Sequence, residues 1–206
     1  MGRLFAAIYD RVMASAERRC LAGWRRELLE PVRGDVLEIG AGTGANLEHL
    51  PSGVGEVHMA EPSAPMRKRL ERRIEACGSS RSVRALDAGA ESIPLPEASV
   101  DAVLSTLVLC SVQDPQRALA EVRRVLRPGG SLRLIEHIAH DGHWTKGLQR
   151  GLDPLWRVCA DGCRLTRSTG ETLREAGFDT SALEQRELRP GAPWIRRVLV
   201  GAAAMC

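Results

Sequence analysis

Residues Val36–Asn46 read VLEIGAGTGAN, an apolar run carrying one acid and ending in three glycines, each separated from the next by a single residue. Two templates fit the same letters. In G-x-G-x-x-[GA], filled by Gly40, Gly42 and Ala45, the backbone brings a pyrophosphate to a helix N-terminus, and Glu61, about 20 residues on, holds a ribose hydroxyl. In G-x-G-x-G, filled by Gly40, Gly42 and Gly44, Glu38 precedes the glycines and an acid ends the next strand. That second arrangement bares the backbone to a nucleoside amino acid, which needs no helix N-terminus for a pyrophosphate.

Working outward from this loop, apolar runs rich in Val, Ile and Leu alternate with helical patterns. The strand candidates are Val36–Ile39, Val57–Ala60, Val83–Leu86, Val100–Thr106 and Leu132–Ile135, dense enough in apolar residues to be buried on both faces. Ala64–Cys77 and Pro115–Leu126 have helical spacing, so the order predicts a parallel sheet with right-handed crossovers. Pro128-Gly129-Gly130 is expected to stop the second helix. Further on, STGETLREAGF predicts a helix opened by Ser168 or Thr169 and closed at Gly177. Stretches around Ser181–Leu188 and Trp194–Ala202, joined by RPGAP, are expected to pair antiparallel at the sheet edge. The expected fold class is α/β: a doubly wound sheet, mostly parallel, with an antiparallel C-terminal edge hairpin.

Composition narrows the function. The 206 residues are 44% hydrophobic and 27% charged, which suits one globular domain. A net charge of +3 is too small for a phosphate-binding surface, so no nucleic acid partner is expected. Six cysteines (Cys20, Cys77, Cys110, Cys159, Cys163 and Cys206) show no framework of paired spacings, and Cys159-x-x-x-Cys163 lacks two further close ligands for zinc. Reduced thiols, no metal and a cytoplasmic location are the expectation. MGRLFAAIYDRVMASAERR is broken by Asp10 and Arg11, and the tail VLVGAAAMC is short, so neither integral membrane association nor a signal peptide is expected. The charge run Arg67–Arg73 reads as a solvated helix face.

Five motifs occur in order: VLEIGAGTG, the acid of AEPS, GAES, STLVLCSV, and LRPGG before LRLIEH. Together they resemble the class I S-adenosylmethionine-dependent methyltransferases, a Rossmann-like fold, over roughly residues 30 to 206. TLVLCSVQDP, EVRRVLRPGGSL, EH and DGCRLTR further resemble the alkyl thiol methyltransferases of the methyltransferase-like family, relatives of quinone-biosynthesis C-methyltransferases and phospholipid N-methyltransferases. The resemblance implies S-adenosyl-L-methionine as cofactor and S-adenosyl-L-homocysteine as product. It implies that Gly40, Gly42 and Gly44 wrap the methionine portion while Glu38 holds its amino group. Glu61 would take both ribose hydroxyls, since a carboxylate accepts from two donors at once. Pro62 and Met66 would pack on adenine or ribose, Ala90 would offer its N–H to the adenine ring with Glu91 nearby, and Thr106 and Leu107 would line the methionine side. Many relatives have an acid where this chain has Gly89.

The expected function is S-methylation of a small-molecule thiol. Alternatives are O-, N- or C-methylation of a lipid, quinone or natural product, an NAD(P)-dependent reductase using the other loop template, and a non-catalytic cofactor-binding module. A free thiol has a pKa of about 8.5, so a general base is not obligatory. If one acts, His137 is placed for it at a strand end, with Asp161 the second candidate, then His140 and His143. Cys110, near the same edge, reads as a small buried hydrophobe. Residues 1–30 are expected to form a helical cover, with Tyr9 and Met13 of Leu4–Trp24 facing inward. Residues 31–206 are expected to form the methyltransferase domain that the resemblance implies. Its insert at 137–169 is expected on the substrate side, where Trp144, Leu148, Leu152, Leu155 and Trp156 would wall an apolar acceptor pocket.

Overall fold

The computed structural model describes residues 3–78 and 82–205, with side chains from Tyr9 onward except at those gaps. The first side chains of Leu4–Trp24, and Cys206, lie outside the described residues. In chain order the elements are α1 (Arg3–Ala16), α2 (Ala22–Leu29), β1 (Gly34–Ile39), β2 (Val54–Ala60), α3 (Ala64–Cys77), β3 (Val83–Leu86), β4 (Val100–Thr106) and α4 (Pro115–Val125). They continue as β5 (Leu126–His137), α5 (His143–Cys159), α6 (Thr169–Glu175), β6 (Phe178–Asp179), β7 (Leu183–Glu187) and β8 (Arg197–Met205). One wide turn, Glu17–Leu21, joins α1 to α2.

The strands form one mixed sheet in the order β3-β2-β1-β4-β5-β8-β6, with β7 also on β8. The first five strands are parallel neighbours, as a chain alternating apolar runs with crossover helices requires. Val36, Leu37 and Ile39 of β1 and Val103 and Leu104 of β4 are fully buried, because helices cover both faces at the centre. α4 turns Ala118, Leu119, Val122 and Val125 inward, and its N-cap Asp114 accepts the Arg117 N–H at 3.0 Å, with Pro115 next in the chain.

Two expectations need correction. Pro128-Gly129-Gly130 does not end the helix: α4 stops at Val125, and Leu126 already pairs with Val100. The tripeptide lies in a bulge, since the next matched pair is Ala102 with Ser131, and Gly129 takes φ +82° there. The C-terminal strands pair antiparallel at the sheet edge as expected, β7 on β8. β8 enters between β5 on one side and β6 and β7 on the other, pairing His137 with Val198 and Ser131 with Ala204. The segment 137–169 is largely helical, and α5 turns much of its apolar surface away from the protein: Trp144 is 93% and Val158 83% exposed. Among the described residues no helix is long and apolar enough to cross a membrane.

What fixes the loop after β4 is the acid of β5. Glu136 is wholly buried and accepts from the Ser105 hydroxyl at 2.6 Å, the Val108 N–H at 2.9 Å and the Cys110 N–H at 3.2 Å. Burial raises its pKa, and these donors oppose the shift. Glu136→Ala would orphan three donors in a dry interior, at a cost of about 1–3 kcal/mol each. We expect the variant to lose roughly 3 kcal/mol or more of stability by urea denaturation; an unchanged midpoint would remove Glu136 as the anchor of this loop.

Candidate active site

A cavity of about 680 Å³ opens at the carboxyl ends of β1, β2 and β4, where an open α/β sheet places its ligands. Gly40 and Gly42 form one wall, Glu61, Pro62 and Met66 a second, and Gly89, Ala90 and Glu91 a third. Thr106 ends β4 and Leu107 and Val108 follow it, while Tyr9 and Asp161 reach in from outside the central sheet. The structure thus brings together every cofactor-binding residue expected from the sequence except Glu38 and Gly44. Glu38 lies buried below the loop, and Gly44 sits beside Leu70 of α3.

The glycine loop is shaped by two different needs. Gly40 has φ +56°, and a Cβ there would come within 2.5 Å of Val108, so the loop lies directly against the β4 loop. Gly42 has φ +58° and would meet nothing within 4 Å, so its missing side chain leaves open space on the cavity side. Its N–H donates to Glu61 at 2.8 Å, and the Ser63 N–H donates to the other carboxylate oxygen, also at 2.8 Å. Each oxygen of Glu61 keeps lone-pair capacity for a hydroxyl. Burial raises the Glu61 pKa, and nearby Asp161 raises it further.

Glu38 is held by residues the sequence did not flag. Asn46 donates to its Oε1 at 2.9 Å and to Thr106 Oγ1 at 3.1 Å. Arg25 of α2, buried to 4% exposure, donates to Asn46 Oδ1 at 2.7 Å and pairs with Glu17 at 2.9 Å. Asn46 was within sight, directly behind the glycines; Arg25 had no sequence signal, since only the fold carries it across. The second carboxylate oxygen of Glu38, Oε2, is buried with no partner. An orphaned buried acceptor beneath a bare-backbone loop suits an amino group, so Glu38 and Gly42 fit the methionine portion of S-adenosylmethionine and Glu61 its ribose. Burial pushes the Glu38 carboxyl up to about 7, against the pull of Arg25 and Asn46.

The two candidate proton-handling residues are separated. Asp161 lines the cavity from the turn after α5, at φ +49°. His137 does not line it. The imidazole is 5% exposed, and neither ring nitrogen has a hydrogen-bond partner. Of the segment 137–169 only Ala160 and Asp161 reach the cavity; Trp144, Leu148, Leu152, Leu155 and Trp156 do not, which corrects the expected apolar wall. Tyr9 faces inward as expected, and burial pushes its phenol up to about 12, keeping it a neutral donor. Met13 packs instead against the cluster of Leu21, Leu28, Ile135 and Val198 that Leu107 also joins. The remaining cavity residues missed in the sequence, Val108, Ser111, Val112, Gln113, Asp114 and Arg117, come from the loop after β4 and the start of α4, whose course depends on Glu136.

A family described as methyltransferase domain matches residues 37–134. The chain is 35% identical over 192 residues to the human thiol S-methyltransferase TMT1A, covering 92% of this chain and 78% of that one. It is 36% identical over 194 residues to human TMT1B, also a thiol S-methyltransferase, covering 89% and 78%. Among solved structures, a SAM-dependent methyltransferase from Thermotoga maritima, described as a possible histamine N-methyltransferase, superposes with a TM-score of 0.69 at 23% identity, covering 99% of this chain and 98% of that one.

The Glu38 carboxyl has to ionise to pair with an ammonium group. Below its pKa of about 7 a proton must be displaced first, so affinity falls as pH falls, by up to about tenfold per unit well below that value. Calorimetry with S-adenosylhomocysteine between pH 5.5 and 7.5 should show binding strengthen with pH, and Glu38→Gln should flatten the dependence. A slope that survives the substitution would take the amino group away from Glu38.

Proposed function

The chain belongs to the class I S-adenosylmethionine-dependent methyltransferases, and from that premise we propose that it methylates the sulfur of a small-molecule thiol. The reading rests on one observation above others: identity of about a third to two human thiol S-methyltransferases over roughly nine tenths of this chain. The site's composition supports it. Leu107, Val108 and Val112 give the cavity apolar surface beyond the glycine loop, which favours a small apolar acceptor over a multiply charged one.

S-adenosylmethionine supplies an activated methyl on a sulfonium with a neutral leaving group, so the transfer is an in-line displacement. The protein's own work is holding, aiming and drying. Glu38, fixed by Asn46 and Arg25, is proposed to hold the amino group; Glu61, fixed by the Gly42 and Ser63 amides, the ribose hydroxyls. Ala90 and Glu91 are proposed for adenine, and Thr106 and Leu107 for the side facing the acceptor. Of the two candidate bases, Asp161 is the one that can touch an acceptor, because it lines the cavity and His137 does not. His137 is proposed to position the loop behind the wall.

Incubation with methyl-labelled cofactor and a panel of alkyl thiols, aryl thiols, phenols, amines and phospholipids tests the acceptor class. We expect label in the thiols, and turnover confined to phenols or amines would overturn the thiol reading. In the same assay Asp161→Asn should lose most activity at low pH, where solution does not ionise the thiol, and recover part of it at high pH. A uniform loss would assign Asp161 to positioning.

Residues 1–30 are proposed as a cover. Tyr9 of α1 lines the cavity, and Asp10 accepts the Thr43 hydroxyl of the glycine loop at 2.7 Å. Limited proteolysis within Leu4–Trp24 should slow when S-adenosylhomocysteine and a thiol are both present; cleavage at the same rate with and without them would rule out a closing cover.

A further inference from the structure

Two thiols meet behind the cavity, where the proposed methyl transfer uses neither. Cys110 is 1% exposed in the loop after β4, and Cys163 is half-buried in the turn after α5. The backbone holds these segments together: the Arg164 N–H donates to the Cys110 carbonyl at 2.9 Å. That bond joins residue 110 to the immediate neighbour of residue 163, and the two thiols interact directly. Around Cys163 stand His137 and the Trp156 indole. Both imidazole nitrogens and the indole Nε1 are buried without a formed hydrogen bond. A buried N–H costs stability unless an acceptor satisfies it, and the Cys163 sulfur is the acceptor beside the indole and the one imidazole nitrogen that carries a proton.

The electrostatics separate the two sulfurs. Cys110, His137 and Trp156 together pull the Cys163 thiol down to about 5 against the effect of burial. Cys163, burial and the Glu136 carboxylate push Cys110 well above the ordinary thiol range. Arg167 is a further charge facing the pair. One sulfur is therefore set up to attack and the other to follow.

We propose that Cys110 and Cys163 form a reversible redox pair, oxidised by a peroxide to a disulfide that ties the β4 loop to the turn carrying Asp161. With hydrogen peroxide, the Cys163 thiolate attacks one oxygen, the O–O bond breaks, and hydroxide leaves and is protonated, giving a sulfenic acid. The Cys110 sulfur then attacks the Cys163 sulfur, the S–O bond breaks, and hydroxide leaves with the Cys110 proton as water. In sum, two thiols and one peroxide give one disulfide and two waters. The bond would join two walls of the cofactor cavity, because Val108, Ser111 and Val112 lie on one segment and Ala160 and Asp161 on the other. Cofactor exchange should slow in the oxidised form, whatever acceptor the enzyme uses.

The test uses the full chain, reduced, desalted and exposed to stoichiometric hydrogen peroxide, with remaining thiols alkylated before digestion and mass spectrometry. The expected product is a Cys110–Cys163 linked peptide pair, two hydrogens lighter than the separate peptides and released by dithiothreitol. In Cys110→Ser, Cys163 should stop at a sulfenic acid that dimedone captures; in Cys163→Ser, Cys110 should remain an alkylatable thiol. Dissociation of S-adenosylhomocysteine should be at least about threefold slower from the oxidised wild type than from the reduced one. Oxidation confined to the exposed Cys77 or Cys159, with Cys110 and Cys163 both alkylated, would overturn the pair. A disulfide with unaltered dissociation would overturn its effect on the cavity.

Discussion

Buried carboxylates at the carboxyl end of the sheet govern this molecule. β1, β5 and the turn after β2 deliver Glu38, Glu136 and Glu61 to a region from which water is largely excluded, each no more than 5% exposed. A carboxylate there must find donors or give up its charge. The three are satisfied to different degrees. Glu136 takes all its donors from the protein and serves as the mechanical anchor of the β4 loop. Glu61 is half-satisfied, by two backbone amides. Glu38 retains an oxygen with no partner. The deficits at Glu38 and Glu61 mark where a ligand supplies what the fold withholds.

Second-layer residues make that arrangement rigid. Asn46 touches Glu38, Thr106 and Arg25, so one amide connects β1, the end of β4 and the N-terminal helices. Its position is over-determined, and the aim of Glu38 is set by atoms from three segments far apart in sequence. The N-terminal helices, beyond any covering role, thereby belong to the architecture of the cofactor site.

Legibility in the sequence followed the range of the forces involved. β3 and β4 were readable to the residue, and α3 as well, because burial on both faces and helical spacing are local patterns. Gly40, Gly42 and Glu61 were readable because loop and acid lie on consecutive strands. The interior place of β8 was not, since antiparallel pairing of its neighbours says nothing about which strand lies between the others. Nor was the outward face of α5: its apolar spacing is what a core helix would show, and only packing reveals that Trp144 and Val158 face away. Arg25 and the meeting of Cys110 with Cys163 are tertiary facts, with no spacing to betray them.

The interior position of β8 has a consequence for how the sheet comes apart. Among the described strands, β6 and β7 pair with β8 and with no other. Neither can keep its interstrand hydrogen bonds once β8 detaches, so the three open as one cooperative unit whose amide protons share a common ceiling of protection. β1 and β4, flanked on both sides by parallel neighbours, lie outside that unit. Because Val198 packs in one cluster with Leu107, opening of that antiparallel unit reaches the cofactor side through side-chain packing rather than through the strand ladder.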